Sequence, residues 1–317
     1  MGVVPELSEP ENTPHRPRAG PHRIDDDVGL DATLAGTGLI VGLLVGLTGM
    51  GGGALLTPVL VLVFNMAPVA AVSTDLVTSL IMKPVGAVVH VRRGSVHLPL
   101  VGYLAAGAVP AGFLSAAVVG RAGRSPGVQH ALTVAIGVVL LASVLASVAR
   151  LLRERRGGAQ EPAPLVVRPA LTAGIGVVGG LAVGATSVGA GSLIIALLLV
   201  VYPQLTPSRL VGTDIVQAIP LVAAAALGHL LFGQVQFPIT IALLVGAVPG
   251  VYAGARLSAQ APAAVVRPLV AAVLTASACA LLTAPTTVIV VAAAGAAVVT
   301  VGLTTTPRRW QWLADLA

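Results

Sequence analysis

Three ionisable side chains, Asp75, Asp214 and Lys83, stand inside long apolar blocks of the sequence, where charge is rare. A charged group at membrane depth is costly, so each is a candidate functional residue. Asp75 and Lys83 are eight positions apart, slightly more than two helical turns, and can face one side of a helix. Two structural roles remain open: the acids could cap free helix amides, and the Lys83 ammonium group could extend to the membrane surface.

Two histidines, His90 and His229, end apolar segments shortly before Gly94 and Gly233. A histidine that titrates near neutral pH can relay protons. It can also anchor a helix end at the membrane interface, and we favour this second role. His90 and His229 therefore join the two acids and Lys83 as candidates for proton coupling or for a charge in the pathway.

The sequence offers little for catalysis or metal binding. Its single cysteine, Cys279, has no intrachain partner, and it contains no HEXXH element or cysteine–histidine cluster. The string "GMGGGA" at 49–54 resembles a dinucleotide-binding loop, but no alternating strand and helix pattern surrounds it. We predict that the chain is not an enzyme and that it holds no metal ion or cofactor.

Two glycine-rich stretches interrupt the apolar blocks: "GLTGMGGGALLTP" at 46–58 and "GATSVGAGSLIIA" at 184–196. Each block, 33–64 or 171–201, would be about 47 Å long as a helix, too long for one upright crossing and too short for two. We therefore predict a re-entrant hairpin or a broken helix, with glycines at the interruption, where unpaired amides line a cavity or are buried in protein. The alternative is that these glycines let helices pack closely.

The chain is built from two related halves. "VSTDLV" at 72–77 matches "VGTDIV" at 211–216, and "GAVPAG" at 107–112 matches "GAVPGV" at 246–251, both with a displacement of 139 positions. The same displacement relates His90 to His229, and the match of two rare residue types argues against chance. Two copies of one unit are typical of secondary transporters, whose substrate sites lie at the repeat interface.

Composition identifies a membrane protein: 56% of the residues are hydrophobic and 9% are charged, with a mean hydropathy of +0.95. The formal charge of +6 does not indicate nucleic-acid binding, because only 3% of the residues are aromatic and the arginines cluster at helix ends. The partners we predict are a small anionic substrate and the lipid bilayer, and assembly into a homo-oligomer is left open.

The arginines also indicate a topology. After each glycine-rich element we predict three crossings, at 69–91, 97–119 and 129–150 and again at 208–231, 237–256 and 264–282. An odd number of crossings inverts the second repeat. The arginines near 92, 150–156, 256–267 and 308 then share one side, which the positive-inside rule makes cytoplasmic, together with the C-terminus. Arg121 and Arg124 are exceptions.

The predicted fold is an all-α integral membrane protein with two inverted-topology repeats, each with a glycine-broken re-entrant or discontinuous helix followed by spanning helices. The predicted organisation is a disordered acidic tail (1–32), membrane repeat 1 (33–151), a cytoplasmic loop (152–167), membrane repeat 2 (168–283), an additional C-terminal membrane helix (284–303) and a C-terminal tail (304–317).

The string "GLLVGLTGMGGGALLTPVLVL", followed by a serine–threonine element and "HVRRGSVHLPL", resembles the sulfite exporter TauE/SafE family of bacterial membrane permeases. The second half repeats the resemblance with "GGLAVGATSVGAGSLIIALLLV", "GTDIVQ" and "HLLFGQVQF", so that about residues 34–303 are covered. The resemblance implies a multi-pass protein of the bacterial cell membrane that exports sulfite or small organosulfur anions, driven by protons. By position it implies these substrate-binding residues: Gly49, Gly51, Gly52, Gly53, Thr74, Ser187, Gly189, Gly191 and Thr213.

Two features depart from the family pattern: Asp75 and Asp214 follow the threonines where many members would carry small or apolar residues, and Lys83 belongs to no pattern of the family. An anion beside Asp75 is disfavoured unless that acid is protonated, so Asp75 and Asp214 are candidate proton carriers. We predict proton-coupled export of a small anion by alternating access. The alternatives are a cation or metal permease that uses the two acids, and a non-transporting membrane subunit.

Overall fold

The computed structural model describes residues 24–48, 52–92, 96–156, 165–257 and 263–305. Every regular element within these ranges is an α-helix, which confirms the predicted all-α class. The helices are α1 (Ile24–Thr48), α2 (Gly53–Leu62), α3 (Pro68–Arg92), α4 (Leu98–Ala122), α5 (Pro126–Arg156), α6 (Pro169–Thr186), α7 (Leu193–Val201), α8 (Pro207–Phe232), α9 (Phe237–Leu257), α10 (Ala263–Leu281) and α11 (Thr286–Thr305).

Eight of the described helices are long and apolar enough to cross a membrane, so the chain is a multi-pass membrane protein. The helix α3 also has spanning length, but it carries Asp75 and Lys83 and is not among the eight. The eight candidate spans are Asp31–Thr48, Leu98–Ala122, Pro126–Leu152, Pro169–Thr186, Arg209–Phe232, Phe237–Leu257, Ala264–Leu281 and Thr286–Thr304.

The glycine-rich elements are broken helices. In the second half, α6 ends at Thr186 and α7 begins at Leu193, which confirms the predicted interruption. In the first half, α1 ends at Thr48 and α2 begins at Gly53, while 49–51 lie outside the described residues. Since α2 and α7 have only 10 and 9 residues, each broken element combines a helix of spanning length with one of about half that length.

The two halves exchange packing partners. The first helix of each half packs along the fourth helix of the other: α1 lies along α9, and α6 lies along α4. The helices α3 and α8 contact each other, as do α5 and α10. The halves are therefore interleaved over most of their length, as expected for related repeats. The inversion of the second repeat stays a prediction.

Stripes of glycine make this exchanged packing close. A Cβ atom added to Gly42 would lie 2.9 Å from the Cα atom of Ala247, so the backbones of α1 and α9 touch there. Contact between membrane helices through small residues recurring every fourth position is a common packing mode. The close-packing alternative thus applies to stripes outside the breaks, on α1 (Gly38, Gly42, Gly46), α9 (Gly246, Gly250, Gly254) and α6 (Gly176, Gly180, Gly184).

Arg121, one of the two exceptions to the predicted charge pattern, has a structural contact. Its guanidinium lies over the ring of Phe232, 3.9 Å from the ring centroid, and joins the end of α4 to the end of α8. A cation over an aromatic ring contributes about 0.5–1 kcal/mol at an exposed site. This contact gives a reason for the arginine that is independent of the side of the membrane.

Two helix ends differ from the predicted boundaries. The helix α1 begins at Ile24, so the end of the segment predicted as a disordered tail (1–32) is helical. The helix α5 continues to Arg156, into the predicted loop (152–167). Hydropathy sets the boundary where apolar residues end, whereas a helix can continue into water as long as its backbone bonds persist. The other parts of both tails, 1–23 and 306–317, lie outside the described residues.

Candidate functional site

The break of the second half contacts the start of the half-length helix of the first half. A Cβ atom added to Gly53 would overlap the carbonyl oxygen of Ser187 and lie 2.8 Å from its Oγ atom. Gly53 begins α2, and Gly52 before it supplies no side-chain cap. The first backbone bonds of α2 run from the amides of Leu55 and Leu56 to the carbonyl oxygen of Gly52. The N-terminus of α2 therefore lies against Ser187.

Ser187 has a buried hydroxyl without a hydrogen bond. The residue follows α6 with φ of 60°, in the left-handed region, and is only 6% exposed. Its Oγ atom lies near the Asp75 carboxyl but makes no hydrogen bond of acceptable geometry. An unpaired buried hydroxyl costs about 1–3 kcal/mol. At the N-terminus of α2 this hydroxyl is available to a ligand.

The Asp75 carboxyl is fully buried beside the same helix end and is held by hydroxyl groups. Thr57 Oγ1 donates to Asp75 Oδ2 at 2.5 Å, and Ser79 Oγ donates to Asp75 Oδ1 at 3.0 Å. A Cβ atom added to Gly52 would lie 3.7 Å from Asp75 Oδ1, which places the carboxyl against the start of α2. The donors that the structure describes for Asp75 are hydroxyl side chains rather than helix amides.

Asp214 has different partners, although it occupies the equivalent sequence position. Its carboxyl accepts a hydrogen bond from Gln217 Nε2, at 3.1 Å, and lies close to the backbone N–H of Gly191. Gly191 belongs to the break between α6 and α7 and has φ of 98°, a conformation that favours glycine. Asp214 therefore lies against the backbone of the break, a position close to that of a capping residue.

Lys83 lies within electrostatic reach of both acids and is half-buried on α3. It interacts with Asp214 and, more weakly, with Asp75. Its charge is thus shared between acids from the two halves, and this placement favours a pathway role over extension to the membrane surface. Ionisable groups that face one another inside a membrane bundle often mark a substrate or ion pathway.

Thr74 and Thr213 make a reciprocal pair of contacts. Thr74 Oγ1 accepts from the amide of Gln236 at 3.2 Å, and Thr213 Oγ1 accepts from the amide of His97 at 3.0 Å. Each threonine therefore fastens the segment that follows the equivalent helix of the other half. Each hydroxyl still has a hydrogen to donate, and the substrate contact predicted for both threonines stays a prediction.

His229 on α8 is completely buried, and its ring contacts two other helices. Its Nδ1 atom lies 2.8 Å from Ser73 Oγ on α3, and its Nε2 atom lies 2.9 Å from the carbonyl oxygen of Gly184 on α6. A carbonyl only accepts, so Nε2 carries the hydrogen. This arrangement supports the anchoring role that we favoured. The backbone of His90 belongs to α3, but its side chain lies outside the described residues.

Replacing His229 by alanine should destabilise the fold. The change leaves the Gly184 carbonyl without its donor and should cost about 1–3 kcal/mol of unfolding free energy. Thermal unfolding of the purified protein in detergent measures the loss, with His130→Ala on an exposed part of α5 as the control. Equal midpoints for the two variants would contradict the anchoring role.

A cavity of about 260 Å³ lies beside the break of the second half. Gly191 and Ser192 form one wall, and Arg150 from α5 and Arg267 from α10 line it as well. Ser192 Oγ donates to Ser143 Oγ at 2.6 Å, which ties this wall to α5. The cavity therefore joins the break to two basic side chains.

The structure brings Gly52, Gly53 and Asp75 together beside Ser187, and Lys83 lies within electrostatic reach of Asp75 and Asp214. Gly189, with φ of 120°, and Gly191 form the second break, whereas Gly49 and Gly51 lie outside the described residues. The sequence analysis missed the polar partners Thr57, Ser79 and Gln217. Ser79 and Gln217 follow their acids by four and three residues, a helical spacing that could have identified them.

The ionisable groups do not form a metal cluster in the part of the chain that the structure describes. There, no three His, Cys, Asp or Glu side chains lie close enough together to hold a metal ion. The oxygens of Asp75 instead accept hydroxyl hydrogens, and those of Asp214 accept amide hydrogens. The site is therefore rich in hydrogen-bond donors and has one cation for two acids.

Comparison with known proteins agrees with these features. The model of the family described as "Sulfite exporter TauE/SafE" matches residues 34–281. The probable membrane transporter protein YjnA of Bacillus subtilis (strain 168) is 40% identical over 228 residues, which cover 70% of this chain and 87% of the relative. The probable membrane transporter protein YdhB of the same organism is 25% identical over 230 residues, covering 72% and 90%. No solved structure matches significantly. The chain belongs to the sulfite exporter TauE/SafE family of membrane transporters.

Proposed function

We propose that the chain is a proton-coupled secondary transporter that exports a small anion, with sulfite or a small organosulfur anion as the substrate. The observation that carries this proposal is the buried, unpaired hydroxyl of Ser187 at the N-terminus of α2. The open amides of a helix N-terminus and its partial positive charge favour anions. Ser187 adds a donor there without adding negative charge.

The acids supply the reason for proton coupling. An anion bound between Ser187 and Gly53 would lie near the Asp75 carboxyl and would be repelled while that carboxyl is charged. Protonation of Asp75 removes the repulsion, so that anion and proton bind and cross together, and an outward gradient of the anion then drives the export of both. Lys83, which interacts with both acids, keeps the site from accumulating uncompensated negative charge.

We place the protein in the bacterial cell membrane, with its C-terminus in the cytoplasm. The family and the two Bacillus subtilis relatives support a bacterial membrane. The clustered arginines support the orientation through the positive-inside rule. In this orientation the cavity beside Arg150 and Arg267 faces the cytoplasm, the side from which an exporter takes its substrate.

Uptake into proteoliposomes tests the proposal. The purified protein, with a pH gradient imposed, should accumulate radiolabelled sulfite or sulfoacetate with saturation. Ser187→Ala should lower the uptake about tenfold, the equivalent of one hydrogen bond to a charged group. Ser115→Ala, which removes a hydroxyl bonded to the Leu181 carbonyl, is the matched control.

The same vesicles distinguish the alternatives. Two buried acids, Asp75 and Asp214, favour a cation or metal permease as the second candidate. Saturable entry of Mn²⁺ without entry of anions would support that candidate. If neither anions nor Mn²⁺ enter, the transport proposal fails and a non-transporting membrane subunit is favoured.

A further inference from the structure

We propose that Gln217 makes the site selective for anions that also carry a hydroxyl group, because its unpaired amide oxygen accepts the hydroxyl hydrogen. This role rests on the proposed anion transport and narrows the class of substrate that the same site takes. Gln217 is a fully buried residue of α8. It acts on specificity, whereas the negative charge of the substrate is bound at Ser187 and the N-terminus of α2.

Two buried side-chain atoms lack a hydrogen-bond partner within the described ranges: Ser187 Oγ and Gln217 Oε1. The serine hydroxyl has a hydrogen to donate, whereas an amide oxygen only accepts. A buried acceptor without a partner is destabilising, and a ligand that brings a donor removes this cost. The two atoms together suit a molecule that accepts a hydrogen bond at one point and donates one at another. An anion with a hydroxyl group has both properties.

The carboxyl group of Asp214 determines which amide atom of Gln217 is left for a ligand. Gln217 Nε2 lies 3.1 Å from Asp214 Oδ1 and donates to it. The reversed amide would bring two acceptor oxygens together, because an ionised carboxyl has no hydrogen to donate. The unpaired atom at this position is therefore an acceptor, and it calls for a donor on the substrate.

Gln217 lies on the part of α8 that runs beside the second break. Two contacts fasten that segment to α8: the amide of Gly191 lies close to Asp214, and the carbonyl oxygen of Gly184 accepts from His229 Nε2 at 2.9 Å. Along α8, Gln217 is positioned between these two contacts. The unpaired serine hydroxyl is positioned between them along the segment. Both unpaired atoms thus belong to the same contact between the break and α8.

The equivalent residue of the first half is satisfied within its own helix. The displacement of 139 positions pairs Gln217 with Thr78, whose hydroxyl donates to the carbonyl oxygen of Thr74 at 2.8 Å. Such a bond to the preceding turn is common for threonine in membrane helices. A packing role shared by both halves therefore does not account for the glutamine, and a role in distinguishing substrates does.

Lys83 favours a hydroxyl group over an ammonium group as the donor. Its positive charge interacts with Asp214, the acid to which Gln217 donates. An ammonium group bound at Gln217 Oε1 would add a second positive charge near the same acid and would be repelled by Lys83. A neutral hydroxyl group supplies the hydrogen without this repulsion.

Calorimetric titration of the purified protein in detergent with two sulfonates of similar size tests the inference. The probes are 2-hydroxyethanesulfonate and propane-1-sulfonate, which differ in a hydroxyl group that replaces a methyl group. The wild type should bind the hydroxylated probe at least tenfold more tightly, because the other probe leaves Gln217 Oε1 unpaired. Equal affinities for the two probes, or binding of neither, would overturn the inference.

Gln217→Met removes the amide and keeps the length of the side chain. In protein that still elutes as a single species on size exclusion, the ratio of the two affinities should fall close to one. A purely structural role would weaken both probes equally and leave the ratio unchanged, and that result would also overturn the inference. Gln129→Met is the matched control, because both polar atoms of that amide are paired, with the amide of Val69 and the carbonyl oxygen of Gly123.

Gln217→Glu is the variant that should keep the preference. Two adjacent carboxyl groups in a buried site retain one proton between them. The new side chain can then donate to Asp214 and still present a free acceptor oxygen. We expect it to favour 2-hydroxyethanesulfonate over propane-1-sulfonate at least tenfold, as the wild type does. Loss of the preference in a folded Gln217→Glu protein would contradict the acceptor role.

Two further measurements separate the donor classes and the two proposals. Tighter binding of 2-aminoethanesulfonate than of 2-hydroxyethanesulfonate would assign Gln217 Oε1 to an ammonium group and overturn the inference. Sulfite uptake in proteoliposomes reports on the proposed function. Sulfite uptake without a preference between the two sulfonates refutes only the role of Gln217. A preference that depends on Gln217, without any anion transport, supports that role and refutes the proposed function.

Discussion

Gly53→Ala should abolish anion transport. The new methyl group would overlap the carbonyl oxygen of Ser187, a backbone atom that cannot turn aside, so α2 and the second break must separate. We expect sulfite uptake in proteoliposomes to fall more than tenfold, because separation moves the α2 amides away from the Ser187 hydroxyl. The effect should exceed that of Ser187→Ala, which removes one donor and leaves the contact in place.

Gly36→Ala is the matched control for this change. Gly36 lies on α1, and a Cβ atom added there would meet no atom within 4 Å. Both substitutions raise helix propensity by a similar amount, so propensity does not distinguish them. Wild-type uptake by the Gly53→Ala protein would show that the two breaks do not form the site.

Asp75→Asn should uncouple transport from the pH gradient. The amide cannot take up or release a proton in the working range, so accumulation of sulfite driven by a pH gradient should fall at least tenfold. Exchange of labelled for unlabelled sulfite requires no net proton movement and should persist. The side chains of Thr57 and Ser79 can rotate to accept from the new amide, and the local fold should therefore survive.

Asp214→Asn provides the comparison. Asp214 accepts from Gln217 and lies close to the amide of Gly191, and the amide oxygen of asparagine can keep both contacts. We expect gradient-driven accumulation to stay within about threefold of the wild type, since a contact that asparagine largely keeps should cost only about 0.5 kcal/mol, the low end of the usual range. Loss of accumulation with Asp214→Asn, and not with Asp75→Asn, would transfer the coupling role to Asp214.

The fold class was predictable because the hydropathy and the length of a segment can be read from that segment alone. Apolar blocks of spanning length predict membrane helices, and the run of glycines that includes Gly189 and Gly191 predicts an interruption. Both predictions are confirmed, and the interruption lies at 187–192, between α6 and α7. The start of α1 at Ile24 was not predicted, because the acidic residues before 33 carry no hydrophobic signal.

The exchanged packing was not predictable from one sequence. The stripe that contains Gly42 marks a surface for close contact, but every helix in the bundle could have supplied the opposite surface. Only the structure pairs Gly42 with Ala247 and joins Thr74 to Gln236. Contacts between residues that are more than a hundred positions apart depend on the tertiary arrangement, which local sequence patterns do not predict.

The candidate site was predicted in part. Duplication and resemblance pointed to Gly53 and Ser187, and the scarcity of charge pointed to Asp75. The sequence analysis used Arg150 and Arg267 only to predict the membrane topology. At a helix end, an arginine that lines a cavity has the same sequence signature as one that faces water. The cavity that they line required the structure.

Proton movement driven by a sulfite gradient is the most direct test of the central claim. Proteoliposomes with a trapped pH indicator would receive sulfite on one side, without an imposed pH gradient. The account predicts a saturable pH change that exceeds the change in protein-free vesicles and is lost with Asp75→Asn, while sulfite exchange continues. Saturable sulfite entry with no protein-dependent pH change would contradict coupling, and the absence of any protein-dependent anion entry would contradict the proposed function itself.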